Sequence, residues 1–289
     1  MPELPEVEVV KRSLESKIQN KIIKKVKINE IKLRYKLNIK KISQLNNLKI
    51  EKIERRSKYL LFHFDKPIIM LVHLGMTGKF FFVNKNKKKF KTSFYYNINE
   101  KKDQKYDRVI FFLKNRQKFI YNDIRKFGFI KLLSKNKIDK NPHLISLGPE
   151  PLSKYYNFNY FKNYIYQRKK SVKDLLMDQK FVSGLGNIYV NEILFSSKVK
   201  PTRKIKFLKD NEIKEIIKNT KKILSKSIKL GGASIKDFSS LNGKKGSFQQ
   251  HFRAYAREGE KCSNIDCKKK IIRKFISNRS SFYCLSCQK

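Results

Sequence analysis

The sequence predicts an α+β fold, and three observations carry that reading. Residues 24–133 run in short β-branched and aromatic stretches broken by Gly, Asn and Lys, the spacing of a β-sandwich or barrel. Beyond residue 152 the apolar positions recur at helical steps. All four cysteines, Cys262, Cys267, Cys284 and Cys287, fall in the last 28 of 289 residues, where a small ribbon is expected.

Taken in order, Val7, Val10, Leu14 and Ile18 lie three and four apart and mark an amphipathic first helix flanking the strands. Pro5 suits its first turn, and Glu6 and Glu8 suit its positive end. Strands are expected at 58–64, 68–73, 79–83, 108–113 and 118–121, with the lysine tract 85–91 as a solvated hairpin tip. Pro142, Gly148, Pro149 and Pro151 make 136–152 a linker after an N-terminal domain of residues 1–135. A helical domain, 153–250, follows, with helices at 158–177, 187–195 and 209–230. Ser183-Gly184-Leu185-Gly186-Asn187 forms a compact turn before the second, and Gly231-Gly232 ends the third. Residues 242–246 read as a polar loop, and 251–289 as the cysteine-bearing end.

A formal charge of +45 and a pI near 10.1 point to a polyanionic partner, nucleic acid first. Only 13 of the 69 Lys and Arg are Arg, so AT-rich coding is a second source of the excess lysine. The acidic start lacks the apolar core of a secretory signal. The longest apolar stretch, 59–74, is broken by Asp65, Lys66 and Pro67, so no membrane span is expected and the protein should be cytoplasmic.

A reducing compartment argues against disulfides, and Cys262-x4-Cys267-x16-Cys284-x2-Cys287 offers four thiolates on two turns, the donor set of one structural zinc ion. Other patterns are weak. Gly184-x-Gly186 lacks the third glycine of a dinucleotide loop, Gly243 to Ser247 lacks phosphate-loop spacing, and the four histidines share no spacing. At the start, removal of Met1 would expose Pro2 as a secondary amine. Its ordinary pKa near 8 would be lowered beside a helix N-terminus, leaving a neutral fraction that can attack a sugar carbon, with Glu3 beside it to donate and recover protons. Alone, that start is also an ordinary helix entry.

Read with the rest of the chain, Met1-Pro2-Glu3-Leu4-Pro5-Glu6-Val7-Glu8 resembles the formamidopyrimidine-DNA glycosylases. The likeness continues in order through Arg55-Arg56-Ser57-Lys58-Tyr59-Leu60, His73-Leu74-Gly75-Met76-Thr77-Gly78 and Asp123-Ile124-Arg125-Lys126-Phe127-Gly128. Leu147-Gly148-Pro149-Glu150-Pro151-Leu152, Leu176-Met177-Asp178-Gln179-Lys180, Gly184-Leu185-Gly186-Asn187-Ile188-Tyr189 and the cysteine pairs flanking Arg279 complete it.

The resemblance implies an N-terminal β-sandwich with its flanking helix, a helix-two-turn-helix domain and a zinc-finger β-hairpin, with DNA lying between the two main parts. It implies a monomeric bifunctional glycosylase and lyase. The enzyme would excise oxidised purines, 8-oxoguanine and formamidopyrimidines, from double-stranded DNA and act on abasic sites, at the nucleoid when engaged. Pro2 would be the Schiff-base nucleophile, Glu3 the proton donor, Lys58 the β-elimination residue and Arg279 the δ-elimination residue. Met76, Arg125 and Phe127 would fill the void left by the flipped nucleotide, although by composition Met76 and Phe127 read as core. Tyr106, Arg168, Lys173 and Asn187 would contact DNA, and 234–248 would cover the extruded base.

Three departures stand out. Tyr106-Asp107-Arg108 replaces a common His-Asp-His run, Lys126 stands where Arg is usual, and the first cysteine spacer is wide. The alternatives are a non-catalytic zinc-ribbon nucleic-acid binder and a sister pyrimidine-lesion glycosylase. Leu4 and the long loop after Gly231 favour the purine type over the sister family.

Overall fold

The computed structural model describes residues 2–92, 104–233 and 248–289. The chain divides into two compact units, Met1–Ile145 with Gly231–Gly246, and Ser146–Leu230 with Ser247–Lys289. The expected base-covering loop at 234–248 lies, apart from Phe248, outside the described residues. Among the described residues, no helix is long and apolar enough to cross a membrane.

The first unit is a β-sandwich. One sheet orders β2 (Ile50–Arg56), β3 (Tyr59–Phe64), β4 (Ile68–His73) and β9 (Phe129–Ser134). The other orders β1 (Ile23–Ile28), β7 (Asp107–Leu113), β8 (Lys118–Asn122), β5 (Lys79–Val83) and β6 (Lys89–Lys91). All neighbouring strands are antiparallel. The sheets share one apolar core, in which the ring of Phe62 lies 5.9 Å from Phe80 and 6.3 Å from Phe119 across the sandwich. β3 is apolar on both faces for a reason. Leu60, Phe62 and Phe64 join that core, while Leu61 on the other face packs with Ile69, Leu71 and Phe129 under Ile138 and Leu144.

The first helix, α1 (Leu4–Ile18), lays Val7, Val10, Leu14 and Ile18 into the sandwich core. Each such buried side chain contributes about 1.5–3 kcal/mol. The lysine tract forms the β5–β6 hairpin, whose turn closes where Asn84 Oδ1 accepts the Lys88 amide at 2.9 Å. A short helix, α2 (Ile39–Ser43), follows β1 and is capped by Asn38.

Two turns of this unit meet backbone to backbone. A Cβ on Gly128 would lie 1.9 Å from the Tyr121 hydroxyl and 2.6 Å from His73 O, and one on Gly75 would lie 2.4 Å from the Phe127 carbonyl carbon. Gly128→Ala is therefore expected to cost about 1–3 kcal/mol by overpacking, read as a lower thermal midpoint. Adding Tyr121→Phe should recover only part, because the His73 carbonyl stays in the way.

The second unit is helical. It contains α3 (Phe158–Ile165), α4 (Val172–Met177), α5 (Asn187–Ser196) and α6 (Asp210–Lys229), then the hairpin β10 (Ile272–Ile276) and β11 (Arg279–Tyr283). The single helix expected over 158–177 is broken in two. Gln167 takes a left-handed φ of 58°, and Ser171 starts a new helix by accepting the Asp174 amide at 3.1 Å. α5 is buried from Ile188 to Phe195, including Asn191 and Glu192, so its polar groups must find partners inside the protein.

Candidate functional site

Pro2 and Glu3 are buried at the entry to α1. Glu3 is the N-cap, and Glu6 Oε2 accepts its backbone amide at 2.9 Å. The second oxygen of Glu6 accepts the Ala233 amide at 2.7 Å. Glu6 thus ties the Pro2-Glu3 entry to the segment after Gly232, where φ is +82° and a Cβ would press on the Glu6 side chain at 3.1 Å. Sequence reasoning gave Glu6 only a helix-dipole role. Its buried position facing Gly232 could not be read from local pattern.

Lys58 occupies the two-residue turn between β2 and β3 with Ser57, whose φ of 55° is left-handed. Arg55 fixes that turn against α1. Its Nε donates to Glu8 Oε2 at 2.8 Å and its Nη1 to Ser57 O at 3.0 Å. Burial alone would raise the Glu8 carboxyl, but Arg55 and Arg12 outweigh it and hold the group below the ordinary range. Lys58 is itself only 7% exposed. Next to it, burial first and the Lys58 charge second pull His73 down to about 4. His73 is therefore neutral at pH 7, and its Nδ1 accepts the Gly75 amide at 3.1 Å, which leaves the proton on Nε2.

Met76, Arg125 and Phe127 come together as an exposed group. Met76 and Phe127 are 41% and 44% exposed, so neither is the core residue composition suggests. The Arg125 guanidinium sits 4.4 Å over the Phe127 ring and 3.4 Å from Met76 Sδ. Beneath them, fully buried Asp123 accepts from Thr77 Oγ1 at 2.5 Å and the Gly128 amide at 2.9 Å, joining the two loops. Arg108 Nε donates to Asp123 O at 2.8 Å, and the Tyr106 ring lies between Lys105 and Arg108. Neither Asp123 nor Arg108 is a residue the sequence singled out for this role.

In the second unit, Arg279 is exposed at the start of β11, after a turn in which Ser277 and Asn278 both have positive φ. Lys173 corrects the sequence reading. It is 1% exposed, and its ammonium donates to Arg279 O at 3.4 Å, Ser280 O at 3.2 Å and Ser281 Oγ at 2.5 Å. Its three protons are engaged by the hairpin, so it is not a surface contact. Burial pulls its pKa down to about 8.

Asn187 is the first helical residue of α5 rather than its cap, which is Gly186, and its amide donates to Ser280 O at 3.0 Å. Asn191 adds a third tie, accepting the Phe282 amide at 2.7 Å. Glu192 accepts the amides of Arg253, Ala254 and Tyr255 at 2.8–2.9 Å, anchoring the segment that leads into the cysteine region. Arg168 is exposed, with its guanidinium 4.2 Å over Tyr164.

The four cysteine sulfurs lie within 4.8 Å of one another, three of the residues being buried. Cys262 and Cys287 are 3.8 Å apart and Cys267 and Cys284 3.6 Å. Zn–S bonds of about 2.3 Å at tetrahedral angles require sulfurs about 3.8 Å apart, so the arrangement fits a metal ion.

A β-sandwich with a buried Pro-Glu helix entry, and a helical unit whose cysteine-framed hairpin presents Arg279 at its turn, define a two-unit protein with a metal-type hairpin. The family described as "Formamidopyrimidine-DNA glycosylase N-terminal domain" matches residues 1–130, and the "Formamidopyrimidine-DNA glycosylase H2TH domain" matches residues 147–239. The formamidopyrimidine-DNA glycosylase of Rickettsia bellii is 41% identical over the full length of both chains. That of Rickettsia felis is 38% identical, covering 100% of this chain and 98% of its own. Lactococcus lactis Fpg in complex with an abasic site containing DNA superposes with a TM-score of 0.84 at 30% identity, over 99% of each chain. A mutant of the same enzyme with a Fapy-dG containing DNA gives 0.85 at 30%, over 100% of each. The chain belongs to the formamidopyrimidine-DNA glycosylase family.

Proposed function

We propose that this chain is a bifunctional DNA glycosylase and lyase that removes oxidised purines from double-stranded DNA and cuts the strand at the resulting site. The pinned Pro2-Glu3 entry of α1 is the observation that carries the reading. It sits on the helix that Arg55 joins to the Lys58 turn.

With Met1 removed, the Pro2 nitrogen attacks the anomeric carbon of a flipped nucleotide, and the base leaves with the glycosidic electron pair. Glu3 gives a proton to the ring oxygen, which opens the sugar as an iminium. The iminium acidifies the adjacent carbon. Loss of that proton, with Lys58 holding phosphate and serving the step, expels the 3′ phosphate. A second elimination, assisted by Arg279, expels the 5′ phosphate and leaves a one-nucleotide gap. Met76, Arg125 and Phe127 enter the stack in place of the flipped nucleotide. Tyr106, Arg168 and Asn187 serve the DNA backbone, Asn187 from a helix N-terminus.

We take the ion held by Cys262, Cys267, Cys284 and Cys287 to be one structural zinc, which supplies stability to the hairpin and no step of the reaction. The protein acts as a cytoplasmic monomer.

Borohydride reduction during reaction with a duplex containing 8-oxoguanine should trap a covalent protein–DNA adduct on Pro2, and an N-terminus bearing Met1 should give none. Absence of any adduct from protein whose mass shows Met1 removed sinks the reading.

A further inference from the structure

The end of the four-stranded sheet that carries Lys58 continues into an ordered strip of cations and rings. Tyr59, His73 and Phe129 pair across β3, β4 and β9 as one rung, with His73 stacked on Phe129 at 5.6 Å. One rung further on the same face, Lys131 stands opposite Leu71, about 7 Å along the strand by extended geometry. Its ammonium is fixed from two sides, 3.0 Å from His143 Nε2 and 4.0 Å from the centre of the Tyr35 ring. The His143 ring packs 4.8 Å from Phe129, and the exposed Arg34 guanidinium lies 5.9 Å over the other neighbour, Tyr35.

Among the described residues neither Arg34 nor Lys131 has a carboxylate partner within ion-pair distance, and Glu30, near the turn, is paired with Lys126. Most lysines of this chain extend into solvent, so their charge carries little information. Lys131 differs, because it is half-buried and ordered against an imidazole that stays neutral. Burial, then Lys131 and Arg34, hold His143 below its ordinary value. Holding a half-buried cation and an exposed one against the same Tyr35 ring, without a carboxylate among the described residues, leaves a site whose missing component is negative charge.

We infer that Arg34 and Lys131, held by Tyr35 and His143, form a second phosphate site that takes the backbone phosphate next to the one served by Lys58 on the same DNA strand. Lys131 lies three residues along and two strands across from Lys58, roughly 14 Å by sheet geometry, a gap that two long side chains reaching toward one DNA strand narrow to that of neighbouring phosphates. The inference rests on the DNA-repair reading above and adds a contact to it.

The test compares wild type, Lys131→Met with Arg34→Gln, and Lys131→Arg with native Arg34. Each is titrated against a duplex bearing a tetrahydrofuran abasic analogue over a range of salt. The double variant should bind roughly tenfold more weakly near physiological salt, with a log–log salt slope smaller by about 1–2. Lys131→Arg should keep the wild-type slope. In wild type, neutralising one phosphate beside the Lys58 contact as a methylphosphonate should weaken binding, and in the double variant it should not.

An unchanged slope in the double variant, or an equal loss in Lys131→Arg, overturns the second phosphate site while leaving the enzyme reading intact. Wild-type protein that neither binds this duplex in a salt-dependent way nor forms the borohydride adduct overturns the enzyme reading itself.

Discussion

Glu3→Gln is expected to slow release of 8-oxoguanine from duplex DNA by about 10²–10⁴-fold, the usual worth of a positioned general acid. The substitution separates chemistry from fold. Glu3 is the N-cap of α1, and the tie that holds it runs from its backbone amide to Glu6 Oε2. Glutamine keeps that backbone amide, so the loss of helix stability should stay below about 2 kcal/mol. What glutamine lacks is a proton to give. The sugar of an intact nucleotide must be opened by protonation at its ring oxygen, whereas a preformed abasic site already samples the open aldehyde. Single-turnover assays on the two substrates should therefore diverge, with excision falling far more than cleavage at the abasic site. Equal losses on both, accompanied by a lower thermal midpoint, would mean that Glu3 matters as a cap and not as an acid.

Local pattern carried those parts of the molecule whose partners are near in sequence. The strand at 68–73 was legible because apolar β-branched residues end at Lys66-Pro67 on one side and Gly75 on the other, and its observed limits are Ile68–His73. The cysteine ribbon was legible because four thiols at ribbon spacing have few other uses in a reducing compartment. The break in the 158–177 helix was missed because Phe161, Ile165, Val172 and Leu176, at steps of four and seven, keep helical spacing through it. Only Ser171 marked the new start, and serine is common in helices too.

Lys173 was misread for a different reason. In a chain with +45 net charge a lysine is expected at the surface, and its buried acceptors lie more than 100 residues away on β11. Separation in sequence likewise hid Arg55 with Glu8 and Glu6 with Ala233, 47 and 227 residues apart. Side chains that position a site through long-range hydrogen bonds leave no periodic trace.

Cys284→Ser should abolish the δ-elimination product while sparing the sandwich. The hairpin β10–β11 pairs only five residues on each side, and its apolar contacts are few, centred on Phe282, Ile271 and the cysteines themselves. Ribbons of this size derive their stability from the metal, with apparent binding free energies of about 10–16 kcal/mol in isolated zinc-finger peptides. Removing one thiolate also exposes a second cost. The Lys173 ammonium, buried against Arg279 O, Ser280 O and Ser281 Oγ, loses its acceptors if the hairpin detaches, and must reach water or remain uncompensated. Detachment and disorder of the hairpin should therefore occur together and take Arg279 with them.

The expected readout is a melting curve in which the sandwich transition persists, no bound zinc by mass, and strand products that stop at the β-elimination end. Arg279→Ala should give the same product pattern with zinc retained, which separates loss of the arginine from loss of its scaffold. Acidification should act in the same direction as Cys284→Ser. Zinc binds thiolates, so metal loading releases protons from these thiols, and affinity should fall as pH is lowered. A Cys284→Ser protein that still yields the one-nucleotide gap at the wild-type rate would remove the metal hairpin from the account of strand cleavage.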